Sequence, residues 1–429
     1  QIKAWLNYVD PSYRLRKLLD DRAEGTGAWF LDGDVFASLK EGKTKAVLLS
    51  GKAGSGKSTI IAAAIEALRA YHASDSRSLV LAHVFDSTNA SSDQRDLHAL
   101  LSTLLCQLAL NNTHCASIIS ESRRAIAANG LPTKVRMEVL FLETLRAASL
   151  HAIVVVDALD EASDEEEIIS FLQRLEAVPA ISVLASRRPY TDLTHSLGSL
   201  VAMDNHGENN DIGLLLDVAM SQGGDLAKVQ MDRNGVREKL LAGAEGNFRW
   251  ATLVIQELKE VAGIPTKVIR RLESLPLSLR ALYQRCLDSI RDDDRDDVRR
   301  LLLWLVRSEV PLRLNDFAEI MAFDYSHERP IYHASHRPLP EAVTSMVGSM
   351  LITVDGGIVR LAHASVRDFL LGLPSESPFF ICKDTDYTLM ARTVLAYLAA
   401  IDQMVSLDPN SPLTYTWVYY VHKAGSEYY

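Results

Sequence analysis

The sequence predicts an α/β fold: a mostly parallel, doubly wound sheet, followed by a helical segment and a smaller helix-and-hairpin domain. Three observations carry the prediction. A strand, a glycine-rich loop and a helix follow one another in AVLLSGKAGSGKSTIIAAAI, residues 46–65. Short apolar strands then alternate with helical spacing as far as residue 190, as parallel βαβ units require. Beyond residue 190 helical patterns replace the strands, until a hairpin closes a second block over 351–362. A chain of 429 residues exceeds one ordinary core and has room for roughly two to four domains.

Composition narrows the class. The chain is 48% hydrophobic and 23% charged, as globular proteins are, and no apolar run reaches the length of a membrane span. Its net charge of −10 argues against a broad nucleic-acid surface. Cys106, Cys115, Cys286 and Cys382 form neither a C-x-x-C pair nor a framework, and are expected as buried free thiols of a cytoplasmic protein. The sequence starts at Gln1 without a signal-peptide pattern and is expected to be an excised or processed piece.

Residues 1–44 open with an amphipathic stretch holding Trp5, Leu6, Tyr8 and Val9, broken at Pro11. Leu15, Leu18 and Leu19 predict a second helix, Gly25 to Phe30 a turn with a bulky anchor, and Phe36 with Leu39 a further helical face. A helical strap packed on the next domain is preferred to a wall for the adenine side of a nucleotide pocket.

Residues 45–205 carry the chemistry. Ala46 to Leu49 make a short buried strand, and Gly51, Ala53, Gly54, Ser55 and Gly56 a loop that approaches a ligand closely. The spacing Gly51-x-x-x-x-Gly56-Lys57-Ser58 is that of a phosphate-binding loop. Successive backbone N–H groups form a concave anion site, reinforced by the dipole of the helix opening at Lys57. The Lys57 ammonium would reach β- and γ-phosphates, and the Ser58 hydroxyl would ligate Mg²⁺. Strands follow at Leu79–Phe85, Ala152–Val156 and Ile181–Ala185, with helices at 97–110, 118–128, 135–148 and 171–175. Asp157 ends a buried strand beside the loop, where it is placed to hold Mg²⁺ directly or through water. Asp160 or Glu161 could polarise a water for attack on a γ-phosphate. Asp164 to Glu167 read as a solvated helix start. At the end of the next strand stand Ser186, Arg187 and Arg188; Arg187 is favoured as the γ-phosphate sensor.

Residues 206–275 follow a polar joint, Asn205 to Asp211, and look like a small helical domain without strands, broken at Gln222–Gly224. Gly246-Asn247-Phe248 opens a strong amphipathic helix, Trp250 to Val261. Residues 276–375 hold helices at 275–290, 301–306 and 311–321, the last capped by Asn315 or Asp316. The mixed charges of 291–300 read as a solvated helix face. The hairpin 351–362 turns at Asp355-Gly356-Gly357, and three helices with a terminal hairpin suggest a winged helix, without a basic recognition helix. His363 ends the second strand; taken alone, it is a core histidine sooner than a ligand. Residues 376–429 begin a further helical region with a Pro- and aromatic-rich end from 409 to 420.

The ordered set GTGAWFL, SGKAGSGKST, VVVDALDE, LASRRP, GNFRWATLVIQEL, SLPLSLRALYQRCL and LAHASVRDFLL resembles fungal NACHT-type signalling NTPases of the STAND class, relatives of NOD-like receptors. The resemblance implies a P-loop NTPase domain, a helical domain and a winged-helix domain closed around ADP, opening for self-association on exchange to ATP. It implies Lys57, Ser58 and Thr59 as phosphate and Mg²⁺ ligands, Asp157, Asp160 and Glu161 as the acidic site, and Arg187 as sensor. It makes His363 a latch on the ADP β-phosphate. It further implies an N-terminal effector domain and C-terminal repeats outside this sequence. Two departures stand out: Ala158 replaces a frequent glycine, a change expected to be tolerated, and Asn247-Phe248 replace a proline that lines adenine in many relatives. A slow, regulated ATPase switch is therefore expected, against two alternatives. One is a fast remodelling ATPase; the other is a winged-helix nucleic-acid binder controlled by ATP.

Overall fold

The computed structural model describes residues 2–8, 10–88, 95–126, 132–189, 197–203, 205–229, 232–308 and 310–403. The chain divides into two compact units, residues 1–87 with 92–279 and residues 88–91 with 280–429.

The first unit opens with four short helices, α1 (Ile2–Trp5), α2 (Ser12–Asp20), α3 (Ala28–Leu31) and α4 (Asp34–Lys40). There follow β1 (Ala46–Ser50), α5 (Lys57–Tyr71), β2 (Ser78–Val84), α6 (Leu97–Asn111), α7 (Thr113–Ile126), α8 (Lys134–Ala147), β3 (His151–Asp157), α9 (Glu165–Glu176), β4 (Ile181–Arg187) and β5 (Ser199–Ala202). The five strands form one parallel sheet in the order β2-β3-β4-β1-β5. Alternate residues face opposite ways, as the two-residue strand period demands. Leu48, Val154, Val156, Val183 and Ala185 enter the core covered by α6 to α9, whereas Val47, Leu49, Ile153, Val155 and Leu184 face α5. The register pairs Ser50 with Arg187 and Val84 with Asp157, which brings the carboxyl ends of the central strands level. Such an edge, where sequence order jumps between neighbouring strands, is where doubly wound sheets bind ligands.

β5 corrects the expectation that residues beyond 190 lack strands. It is four residues long and mostly exposed, too short and too polar in its surroundings to show a period. The joint expected at Asn205–Asp211 is instead the start of α10 (Asn205–Met220). α11 (Arg233–Ala244), α12 (Phe248–Lys259) and α13 (Pro265–Glu273) follow, and Trp250, Val254, Leu258, Val236 and Ile212 close a helical core.

In the second unit, α14 (Leu279–Asp288) and α15 (Arg295–Arg307) precede β6 (Leu312–Arg313), α16 (Leu314–Ile320) and the small pair β7 (Phe323–Asp324) and β8 (Ile331–Tyr332). Then come α17 (Pro340–Val347), β9 (Ile352–Asp355), β10 (Ile358–Leu361), α18 (Ala364–Leu371) and α19 (Lys383–Gln403). An antiparallel sheet runs β6-β10-β9. Residues 312–313 are thus strand, not helix. Asp316 does not sit at the cap position; from one turn inside α16 its carboxylate accepts the Arg313 N–H at 2.7 Å. The charged block is not wholly solvated, because Arg299 reaches the buried Asp386 at 2.9 Å. No disulfide joins the four cysteines; Cys106 and Cys115 are buried, and Cys286 and Cys382 are half-buried. The aromatic-rich end at 409–420 lies outside the described residues. No helix among the described residues is long and apolar enough to cross a membrane.

Candidate nucleotide-binding site

The site begins where β1 stops. Gly51 donates its N–H to the Arg187 carbonyl at 3.2 Å, and the chain then leaves the sheet. Gly54 (φ +81°) and Gly56 (φ +91°) take the left-handed conformation that a side chain disfavours. Gly51 is needed for space instead: a Cβ there would lie 2.7 Å from Ser55 Oγ and 3.0 Å from Met203 Sδ. α5 starts at Lys57, whose ammonium donates to the carbonyls of Gly51 at 2.6 Å and Lys52 at 2.7 Å. Burial lowers the Lys57 pKa from its usual value, while Asp160, Asp157 and Glu161 oppose that shift and Arg188 adds to it. Ser58 and Thr59 are half-buried in the first turn of α5, with the helix dipole behind them.

Asp157 is the last residue of β3 and is 1% exposed. Its Oδ1 accepts the Ser186 hydroxyl at 2.5 Å, and Oδ2 has no hydrogen-bond partner among the described residues. A buried carboxylate oxygen left in this way is costly unless a cation or donor meets it. Ser186 Oγ also accepts the Ala158 N–H at 2.9 Å. Ala158 itself is left-handed (φ +59°, ψ +53°), a conformation that glycine takes more readily than alanine.

A short 3₁₀ turn then carries the remaining acids. Asp160 accepts the Arg188 N–H at 3.1 Å and pairs with its Nε at 2.8 Å. Glu161 accepts the Ser87 N–H at 2.7 Å; burial pushes its carboxyl above the usual range, against the pull of Arg14. Arg14, from α2, pairs with Asp86 beside it. Arg187 is 6% exposed and reaches Glu165 at 3.0 Å. Its neighbour Arg188, the less favoured of the two on sequence, is the arginine whose charge bears on Lys57. Two-residue alternation at the end of β4 turns successive side chains to opposite faces. Glu165, read as merely solvated, is therefore an ion-pair partner.

Two further segments close on the loop. Gly27 donates its N–H to Asp211 Oδ2 at 2.7 Å, and a Cβ on Gly27 would meet Ile60 Cγ1 at 3.1 Å. The turn 25–27 thus lies between the first turn of α5 and α10. Asp211 is 5% exposed, and burial raises its carboxyl pKa. On the other side, the Phe248 ring would touch a Cβ on Gly56 at 3.4 Å. Sequence reasoning passed over Ser186, Asp211 and Arg14. A hydroxyl next to the favoured arginine was the one available signal for Ser186; the other two are joined to the site only by the fold.

His363 belongs to the second unit. Its Nδ1 accepts the Ser365 N–H at 3.1 Å and lies 2.7 Å from Ser365 Oγ, which is 3.0 Å from Tyr283 Oη. An accepting Nδ1 puts the neutral ring's proton on Nε2.

Residues 25–188 match the family described as Nephrocystin 3, N-terminal. Over 234 residues, 52% of this chain, the sequence is 24% identical to the vegetative incompatibility protein HET-E-1 of Podospora anserina. The match takes in 17% of that relative, so the chain spans a small part of its length. Among solved structures, Cdc6p of Pyrobaculum aerophilum is 12% identical with a TM-score of 0.34, covering 86% of this chain and 96% of that one. Drosophila ORC bound to DNA is 11% identical with a TM-score of 0.39, covering 84% and 92%.

Proposed function

We propose, from the premise that residues 25–188 form a NACHT-type P-loop NTPase domain, that the chain is an ADP/ATP-binding signalling switch with slow or regulated hydrolysis. The observation that carries the reading is that three separate segments close on the phosphate loop and on the first turn of the helix it opens. These are the turn 25–27, Met203 after β5, and Phe248 at the start of α12. Whatever fills such a loop also bears on how the helical region seats against it. A ligand of this kind shifts a closed–open balance through its differential affinity for the two states.

The residues suit a Mg²⁺-nucleotide. The glycine conformations leave N–H groups of the loop for phosphate oxygens, and Lys57 exchanges its loop carbonyls for them. Ser58 and the unpartnered Asp157 Oδ2 are the protein ligands available to a divalent cation, which completes its shell with phosphate oxygens and water. Bound there, Mg²⁺ would supply charge neutralisation to the β- and γ-phosphates. Asp160 and Glu161 are the candidates to orient and deprotonate the attacking water. Burial raises the Glu161 carboxyl above its usual range, which favours proton acceptance. Arg187 and Arg188 remain candidates to sense the γ-phosphate, through their pairs with Glu165 and Asp160.

We read the second unit as a winged helix, supported by its helix–strand–helix–helix–hairpin order and the strand order β6-β10-β9. His363 is assigned as the latch, its Nε2–H donating to a phosphate oxygen in the closed state. Opening on ATP and self-association complete the proposal, and effector and repeat segments are expected partners in the full protein.

Chromatography of the nucleotide released on denaturing fresh protein tests this reading. Near-stoichiometric ADP, lost in Lys57→Ala and released faster with larger mass in solution in His363→Ala, is expected. Nucleotide-free protein that turns over Mg²⁺-ATP rapidly would overturn the switch in favour of a remodelling ATPase.

A further inference from the structure

The start of α12 makes contacts that its role in the helical core does not require. Four backbone N–H groups at a helix N-terminus lack partners within the helix. Here the Trp250 N–H goes to Asn247 Oδ1 at 2.9 Å, a side-chain cap. The Arg249 N–H goes to the Gly54 carbonyl, at 3.3 Å. Because Oδ1 is committed to the cap, the other end of the Asn247 amide must be the NH₂, and it donates to the Ala53 carbonyl at 3.3 Å. Two consecutive carbonyls of the phosphate loop are therefore turned toward α12.

The consequence lies on the other edge of the same peptides. A trans peptide points its N–H opposite to its C=O. Fixing the Ala53 and Gly54 carbonyls toward α12 aims the Gly54 and Ser55 N–H groups the other way. Ser55 bears this out: its N–H turns inward to the Lys52 carbonyl at 3.3 Å, and that carbonyl also holds Lys57 Nζ. The positive end of α12 also polarises both carbonyls, which strengthens their N–H groups as donors. The join that sets this approach is itself strained, since Glu245 (φ +46°) is left-handed without being glycine and Gly246 (φ +78°) follows it. Asn247 Oδ1 would also lie 2.6 Å from a Cβ on Gly54, so that glycine is demanded by the docked amide as well as by its own φ.

We propose that Asn247 is a positioning residue for phosphate binding: through the Ala53 carbonyl it orients the loop peptides whose N–H groups receive the nucleotide's phosphates. The inference rests on the nucleotide-binding reading above and adds a dependence of affinity on the seating of α12. It separates two jobs of one side chain, the cap made by Oδ1 and the loop contact made by Nδ2.

Variants can keep one job and lose the other. Asn247→Ser and Asn247→Asp both retain an oxygen for the cap and lose the donor to Ala53. Titration of fluorescent ADP into the full chain is expected to show affinity about fivefold weaker in Asn247→Ser, the effect of one hydrogen bond. Its melting temperature without nucleotide should fall by about 2–4 °C at most, the cost of the lost contact to Ala53. Asn247→Asp should weaken binding at least as much. Unchanged affinity in Asn247→Ser, with loss in Lys57→Ala, would overturn this inference and leave nucleotide binding standing. Weakening confined to Asn247→Asp would also overturn it, as plain charge repulsion. No ADP binding by the wild-type chain would overturn both.

Discussion

Ser186→Ala is the sharpest stability test of the acidic site. The hydroxyl sits at 0% exposure between two groups that have nowhere else to turn. It donates to Asp157 Oδ1 at 2.5 Å and accepts the Ala158 N–H at 2.9 Å. Alanine removes both contacts at once. It leaves a buried carboxylate without its donor and a buried N–H without its acceptor. An unsatisfied buried group costs about 1–3 kcal/mol, and charged groups lie at the upper end. Their sum is about 3 kcal/mol once partial relaxation is allowed. For a unit of this size each kcal/mol lowers the melting temperature by about 2–4 °C, so a fall of about 8 °C is expected. Thermal melts at neutral pH without nucleotide are the assay. Ser186→Cys restores most of the volume with only a weak donor, so it should melt near the alanine variant and well below wild type. A fall of under about 2 °C in Ser186→Ala would refute the bonding argument. A return of Ser186→Cys to wild-type stability would assign the effect to packing instead.

Other outcomes follow from single positions. Ala158→Gly relieves the left-handed strain, about 1–2 kcal/mol, against about 0.4–1 kcal/mol of added unfolded-state freedom. The urea midpoint should therefore rise, and a lower midpoint would contradict the strained geometry. His83 is buried on β2 with Nδ1 3.0 Å from Thr103 Oγ1, and burial drops its pKa from 6.5 to about 3. A depressed folded pKa means stability that is present above pH 6.5 and lost as pH falls toward 3. Relative to wild type, His83→Leu should gain stability steadily over that window; a pH-independent difference would show that the ring does not stay neutral on folding.

Much of the first unit could be read from sequence because local pattern and tertiary role coincide there. β1, the glycine loop and α5 each follow from neighbouring residues, and Asp157 follows from a β-branched run with one carboxylate at its end. The misreadings share a cause. β5 is a four-residue edge strand whose partner among the described residues is β1, so its pairing, not its composition, makes it a strand. Arg187 stays a candidate sensor; what spacing could not give is the pleat, which sends it to Glu165 and its neighbour to Asp160. Asp211 and Arg14 meet the site across long stretches of sequence, which no local spacing encodes. Ala158 was read as a tolerated change; its positive φ is visible only in the fold.

The packing of α5 has a consequence for where this domain can be cut. Leu15, Phe30, Phe36 and Leu39 are buried in the same cluster as Val47, Leu49, Ile61 and Leu68. A fragment begun at residue 45, just ahead of the phosphate loop, would lose the helices that pack on α5 and β1 and expose the apolar side chains they cover. Four such side chains are worth roughly 6–12 kcal/mol of burial, as much as the net stability of an ordinary domain. The family match begins at residue 25, so it too cuts through this layer. A piece that keeps this layer whole must therefore begin ahead of Leu15, and a cut in the turn between α2 and α3 would loosen the layer and the segment 25–27 beside the nucleotide site together.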